Sequence, residues 1–143
     1  MTLVDTSSLL DLRKKRRWNE VYERFERTHV FPKVAETINH YGLYYKIGIV
    51  TSSPRKYAEK LLEYHGLDIP VIAAYHDTEK HKPNPDPLLF AIKKMGLDPS
   101  TCVIITIGDE VNDILASNSV NEKYGIKVNG CADHTFPIID SSM

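Results

Sequence analysis

Residues 104–113 read Ile104-Ile105-Thr106-Ile107-Gly108-Asp109-Glu110-Val111-Asn112-Asp113, an apolar run that stops at a glycine and gives way to three carboxylates. A short apolar run bounded in this way predicts a buried strand. Carboxylates so close together repel and raise one another's pKa unless a cation or backbone N–H groups offset them. The stretch therefore predicts a strand whose end faces something positive.

Working outward, the periodicity alternates. Ile47–Val50, the run IPVIAAYH from Ile69, TCVIITIG from Thr101 and YGIKVNG from Tyr124 read as strands. Between them lie helices: one capped by Ser53 with Pro54 in its first turn and ended by Gly66, one opened by Asp86 and Pro87 and stopped by Gly96, and one over Val111 to about Ser117. Upstream, Trp18, Val21, Tyr22 and Phe25 share one face of an amphipathic helix over Leu12–Phe25. A second helix opens at Pro32 and carries Val34 and Ile38 as far as Gly42. Strands alternating with helices at this spacing predict an α/β fold, a parallel sheet with helices on both faces.

The bulk composition excludes several classes. With 143 residues, 42% hydrophobic and 26% charged, the chain reads as one globular domain, residues 1–143, rather than a disordered segment. A net charge of −1 gives no sign of a nucleic-acid partner. No stretch is apolar enough for a membrane span or a signal region, and the expectation is a cytoplasmic protein with no membrane partner. Two cysteines, Cys102 and Cys131, suggest neither a disulfide framework nor a zinc site. The six histidines show no metal-ligand spacing, and only His81 is placed near a site. The basic run Arg13–Arg17 has the composition of a nucleic-acid or nuclear-import patch but reads more simply as a solvated helix face balanced by Glu20, Glu23 and Glu26, one that would also help attract an anionic substrate.

In an open α/β sheet, ligands bind beyond the carboxyl ends of the strands, and three features fall there. Thr51-Ser52-Ser53-Pro54 leads hydroxyls into a helix N-terminus, an anion site or a plain cap. Lys82 precedes a proline-rich turn, a phosphate contact or a solvated lysine. Asp109, Glu110 and Asp113 are metal ligands or helix-capping carboxylates. Each is weak alone; in this order they describe a site for a phosphate and a divalent cation.

With these residues on the page, the chain resembles the haloacid dehalogenase-like superfamily, its phosphatases in particular. IGIVTSSP resembles that family's second motif; KPNPDPLLFAIKKMGLDPSTCVIITIGDEVND resembles its third and fourth joined, and the likeness runs from residue 2 to about 128. The resemblance implies a Rossmann-like sheet and a Mg²⁺-dependent phosphatase acting through an aspartyl-phosphate on a small phosphorylated molecule. It further implies that Thr51, with Ser52 beside it, binds the transferring phosphoryl group, that Lys82 neutralises it, and that Asp109 holds Mg²⁺ with support from Asp113. Phosphoryl transfer needs charge neutralisation on the equatorial oxygens, which agrees with these residue types.

The family's first motif, D-x-D-x-T-L, supplies the nucleophile and the general acid. The opening Thr2-Leu3-Val4-Asp5-Thr6 fits the continuation of that motif, with Thr2 as its phosphate-binding threonine and both aspartates, on the central strand, before residue 1. The competing alignment makes Asp5 the nucleophile and puts Ser7 where the acid belongs. Only four residues precede Asp5, too few for a central strand. On either alignment the chain by itself is an incomplete catalyst, expected inactive and truncated. Loss of the central strand leaves its two neighbours unpaired and open to self-association. About 25 residues, 6–30, remain for a minimal helical cap. A non-catalytic phosphate-binding or regulatory module built on the same fold is the alternative function.

Overall fold

The computed structural model describes residues 3–98, 104–108, 111–124 and 128–132, with side chains for 3–98, 111–113 and 115–120. Its strands are β1 (Val4–Asp5), β2 (His29–Val30), β3 (Gly48–Val50), β4 (Val71–Ala73), β5 (Ile104–Gly108) and β6 (Val128–Ala132). Its α-helices are α1 (Leu10–Lys14), α2 (Trp18–Tyr22), α3 (Val34–Tyr41), α4 (Arg55–Tyr64), α5 (Asp86–Lys94) and α6 (Val111–Tyr124).

Two βαβ units form the α/β body. β3 pairs in parallel with β4 across α4, registering Gly48 with Val71 and Val50 with Ala73; β5 pairs in parallel with β6 across α6, registering Ile104 with Val128. Among the described residues, β3 and β5 are not hydrogen-bonded to each other or to any third strand. The described residues therefore form an α/β fold with two separate parallel strand pairs. β1 stands apart from it, antiparallel to β2 through Val4 opposite Val30 and Asp5 opposite His29.

α5 packs against β3 and β4, and the flexible end of Met95, just after the helix, lies over Gly48. A Cβ on Gly48 would meet Met95 Cε at 2.5 Å and Val71 Cγ1 at 3.3 Å. α6 packs on β5, β6 and α5. Arg55 at the start of α4 donates to the Ile72 carbonyl at 2.8 Å and to the Asp77 carboxylate, which ties the helix to the far end of β4.

The expected helix over 12–25 is broken in two. Arg16, at φ 55°, lies in the left-handed region just past the first segment, so the helix is interrupted between α1 and α2. The shared apolar face survives the break, because packing rather than continuous backbone decides it. Trp18 and Phe25 ring centroids lie 5.6 and 6.1 Å from Tyr57 of α4, and Tyr22 lies 5.9 Å from Phe25. Offset or edge contacts of this kind each contribute on the order of 1 kcal/mol beyond burial. Leu9, Val21 and Val34 are fully buried in the same cluster, which continues through Leu61, Leu62 and Ile72. A separate cluster joins Val120 of α6 to Leu88 and Leu89 of α5.

Helix boundaries also differ in detail. α4 starts one residue later than the serine cap implies: Pro54 is extended, at ψ 145°, and its carbonyl accepts the first helical bond, from Ala58 at 3.1 Å. α6 extends to Tyr124, beyond the expected end near Ser117. Among the described residues, no helix is long and apolar enough to cross a membrane.

Candidate functional site

The second-motif loop leaves β3 through Thr51, whose N–H continues the ladder to the Ala73 carbonyl at 2.9 Å. Thr51 Oγ1 then accepts the Ser53 N–H at 3.1 Å, which turns the chain back on itself. Ser52 is left exposed at the tip of that turn. The Ser53 carbonyl accepts the Tyr75 N–H at 3.0 Å, so the turn is fastened to the segment leaving β4.

From there a chain of contacts reaches the other two motifs. The Tyr75 ring stacks on His81 with centroids 4.1 Å apart and planes 15° off parallel. Next to His81, Lys82 Nζ donates to Asp113 Oδ1 at 2.5 Å, and both side chains are only 17% exposed. The turn after Lys82 is held by Asn84, which donates its N–H to the His81 carbonyl at 2.9 Å and accepts the Asp86 N–H at 3.0 Å. A groove of about 550 Å³ opens beside it, lined by His81, Pro83, Asn84, Leu115 and Asn118. The lysine is thus not a solvated loop residue: it is the counter-charge of a carboxylate in the first turn of α6.

Other expected site residues are placed differently. Asp5 lies in the antiparallel β1–β2 pair, outside the parallel halves, with its Oδ1 accepting the Ser7 N–H at 2.9 Å. Thr2, Asp109 and Glu110 fall outside the described residues. Among the described residues, no three His, Cys, Asp or Glu side chains gather as a metal site.

The residue that sequence reasoning missed is Arg13. Lys14, Lys15, Arg16 and Arg17 are exposed as expected, but Arg13 turns inward. Its Nη1 donates to Thr6 Oγ1 at 3.0 Å and its Nη2 to Ser53 Oγ at 2.9 Å, with the guanidinium 4.7 Å above the centre of the Tyr57 ring. Burial pushes the Tyr57 phenol above its ordinary pKa, and the Arg13 charge draws it back. Ser53 is consequently an acceptor for Arg13 rather than the cap of α4. No spacing in Arg13–Arg17 distinguishes one basic residue from the next, so only the fold could single it out.

Comparison with known proteins identifies the family. The family model for haloacid dehalogenase-like hydrolases matches residues 2–128. The phosphoglycolate phosphatase of Escherichia coli strain K12 is 35% identical over 134 residues, covering 85% of this chain and 50% of the relative; that of Salmonella choleraesuis is 36% identical over 111 residues, covering 73% and 41%. A hydrolase structure from Pseudomonas syringae superposes with a TM-score of 0.62 at 28% identity, covering 83% of this chain and 53% of that one. A phosphatase structure from Thermococcus onnurineus, at 22% identity and a TM-score of 0.64, shares the fold. The chain spans about half the length of the curated relatives it matches. With the second, third and fourth motifs joined at one end of a parallel α/β fold, and the family model covering nearly the whole chain, the protein belongs to the haloacid dehalogenase-like hydrolase family.

Proposed function

We propose that this chain carries the phosphate- and cation-binding part of a Mg²⁺-dependent phosphatase that acts on a small phosphorylated molecule through an aspartyl-phosphate. The observation that carries the proposal is the Lys82–Asp113 pair, because it joins the third motif to the fourth at the same sheet end as the Thr51 loop. Thr51 offers its hydroxyl, and Ser52 its hydroxyl and backbone N–H, to the transferring phosphoryl group, and Lys82 offers the positive charge that its equatorial oxygens require. The donor chemistry fits magnesium, a hard cation that takes oxygen ligands: Asp113 presents a carboxylate at this sheet end, and Asp109 follows directly on β5 in sequence. Mg²⁺ would be held by Asp109 and Asp113 and would supply charge neutralisation on the phosphoryl oxygens. Thr2 belongs to the same phosphate site on the favoured alignment.

The nucleophile is proposed to stand on a strand N-terminal to Thr2, seated between β3 and β5. Support comes from the two parallel pairs, which are not bridged among the described residues, and from Asp5 lying in an antiparallel pair instead. Residues 6–30 act as a minimal cap, and the protein works in the cytoplasm. Groups that only bind phosphate cannot replace the attacking carboxylate. The chain as it stands should therefore show no Mg²⁺-dependent turnover of a generic phosphoester, and a version extended by an apolar strand ending in D-x-D-D before Thr2 should acquire it. Assaying both chains beside an Asp5→Asn variant decides the matter: turnover by the unextended chain that vanishes in Asp5→Asn would make Asp5 the nucleophile.

A further inference from the structure

Tyr75 is a large ring that the core does not use. It is 42% exposed and has no place in the main buried cluster. Its backbone is nevertheless held on both sides. The Tyr75 N–H donates to the Ser53 carbonyl at 3.0 Å, and Asp77, two residues on, accepts the Ala74 N–H and the Arg55 guanidinium. The ring thus projects from backbone that is fastened to the second-motif loop, and it lies flat on His81, centroids 4.1 Å apart and planes 15° off parallel.

Between the two rings runs a polar loop, residues 76–80, in which Thr78 Oγ1 donates to the Lys80 carbonyl at 2.8 Å. Beyond it the Asn84 N–H donates to the His81 carbonyl at 2.9 Å. The first contact is internal to the loop and the second to the turn that follows. Neither ties the loop end to β3 or β4, whereas the Tyr75–His81 stack does, and Lys82 is the next residue. A lysine ammonium is a point charge on a flexible stem, so where it stands follows the backbone beneath it. A displacement of about an ångström there misplaces the charge against a bound group.

We propose that Tyr75 is a positioning residue for the phosphate site: through its stack on His81 it sets where the Lys82 ammonium stands relative to the Thr51 turn. One residue then links two motifs, since its N–H is bonded to the second-motif loop and its ring covers the residue before the third-motif lysine. Tyr75 itself touches no ligand. Dispersion and quadrupole attraction belong to the ring face, so the phenol hydroxyl has no part in the effect. This inference rests on the phosphate site proposed above.

The test measures the dissociation constant for inorganic phosphate on the wild-type chain and on Tyr75→Leu, Tyr75→Phe, His81→Leu and Lys82→Ala, with ligand-free melting as the folding control. Tyr75→Leu and His81→Leu are each also combined with Lys82→Ala. Tyr75→Leu should weaken phosphate binding about fivefold, the scale of one aromatic pair. His81→Leu removes the same stack from the other side and should weaken binding to a similar extent, whereas Tyr75→Phe keeps the ring and should bind as the wild type does. Lys82→Ala should weaken binding on the order of tenfold, and adding either leucine to it should change nothing further, because the stack acts only through that lysine. A merely structural role gives a different pattern: affinity falls by the same factor with Lys82 present or absent, and the proposal is overturned. Tyr75→Phe as weak as Tyr75→Leu would transfer the effect to the hydroxyl and overturn it too. Wild-type affinity in both single leucine variants, with Lys82→Ala still weak, overturns the role of Tyr75 and leaves the phosphate site standing. If Tyr75→Leu melts below the assay temperature, His81→Leu in the same two backgrounds decides between these outcomes. A wild type that binds no phosphate overturns both readings.

Discussion

At Lys82 the sequence presents a lysine ahead of two prolines, and the fold turns it into half of an ion pair that is largely shielded from water. Removing one partner of such a pair leaves the other charge uncompensated. Lys82→Ala should lower stability by about 2 kcal/mol, below the range for fully buried pairs because both side chains keep some exposure. The variant should also lose most of the stabilisation that added inorganic phosphate gives the wild type, read as the melting shift with and without phosphate. An equal phosphate shift in both proteins would remove Lys82 from the site. His65 allows a second residue-level prediction. Thr28 Oγ1 donates to the Phe25 carbonyl at 2.6 Å, so its contact with His65 Nε2 at 2.7 Å requires the ring to donate. A neutral imidazole protonated at Nε2 suffices, and burial, aided by the charge of His29, holds the His65 pKa below its ordinary value. The unfolded chain then binds more protons, so this contribution to stability is present above about pH 6.5 and is lost as pH falls through the lower folded value. His65→Gln should flatten the fall in melting temperature over that interval; an unchanged pH profile would rule the linkage out.

Among the elements, α4 and the turn after β4 show two kinds of termination. α4 ends at Gly66, φ +66°, where an added Cβ would touch nothing within 4 Å. Gly66→Ala should therefore cost about 1 kcal/mol, the penalty of the left-handed backbone alone, measurable by chemical denaturation. A loss of several kcal/mol would show that packing also matters there. The turn after β4 is held by Asp77, whose Oδ2 accepts the Ala74 N–H at 2.7 Å and also the Arg55 guanidinium. Burial works to raise its pKa, but the Ala74 hydrogen bond and Arg55 prevail and hold it below the usual carboxylate range. Asp77→Ala should cost roughly 1–3 kcal/mol near neutral pH, since it strands a backbone donor and a guanidinium. That difference should shrink in acid as the wild-type carboxylate protonates. Glycine stops, proline starts and apolar periodicity made α3, α4 and α5 legible in the sequence, because those signals are local. The break at Arg16 and the length of α6 were not legible, because tertiary contacts overrode them.

Across the whole molecule, residues 6–30 do not merely hang over the sheet. Leu9 and Val21 are fully buried among Val34, Tyr57 and Leu61, so the segment completes the core against α4. Leu9→Ala should cost about 3 kcal/mol through lost burial and the cavity left behind. Seating a strand between β3 and β5 should act in the opposite direction, raising the melting temperature of the extended chain as it satisfies two strand edges. If extension leaves stability unchanged, the strand does not pair with β3 and β5.

The sequence by itself determined the family, the α/β alternation and the three motifs, because each depends on residues close together in the chain: an apolar run, a glycine, a carboxylate or lysine at a strand end. Only the tertiary structure decided that Asp5 lies in an antiparallel pair, that Lys82 closes on Asp113 across 31 positions, and that Arg13 leaves its basic run to hold Ser53 across 40. Such pairings depend on where α1, α4 and α6 pack relative to one another. Long-range packing of that kind has no period and no spacing to read.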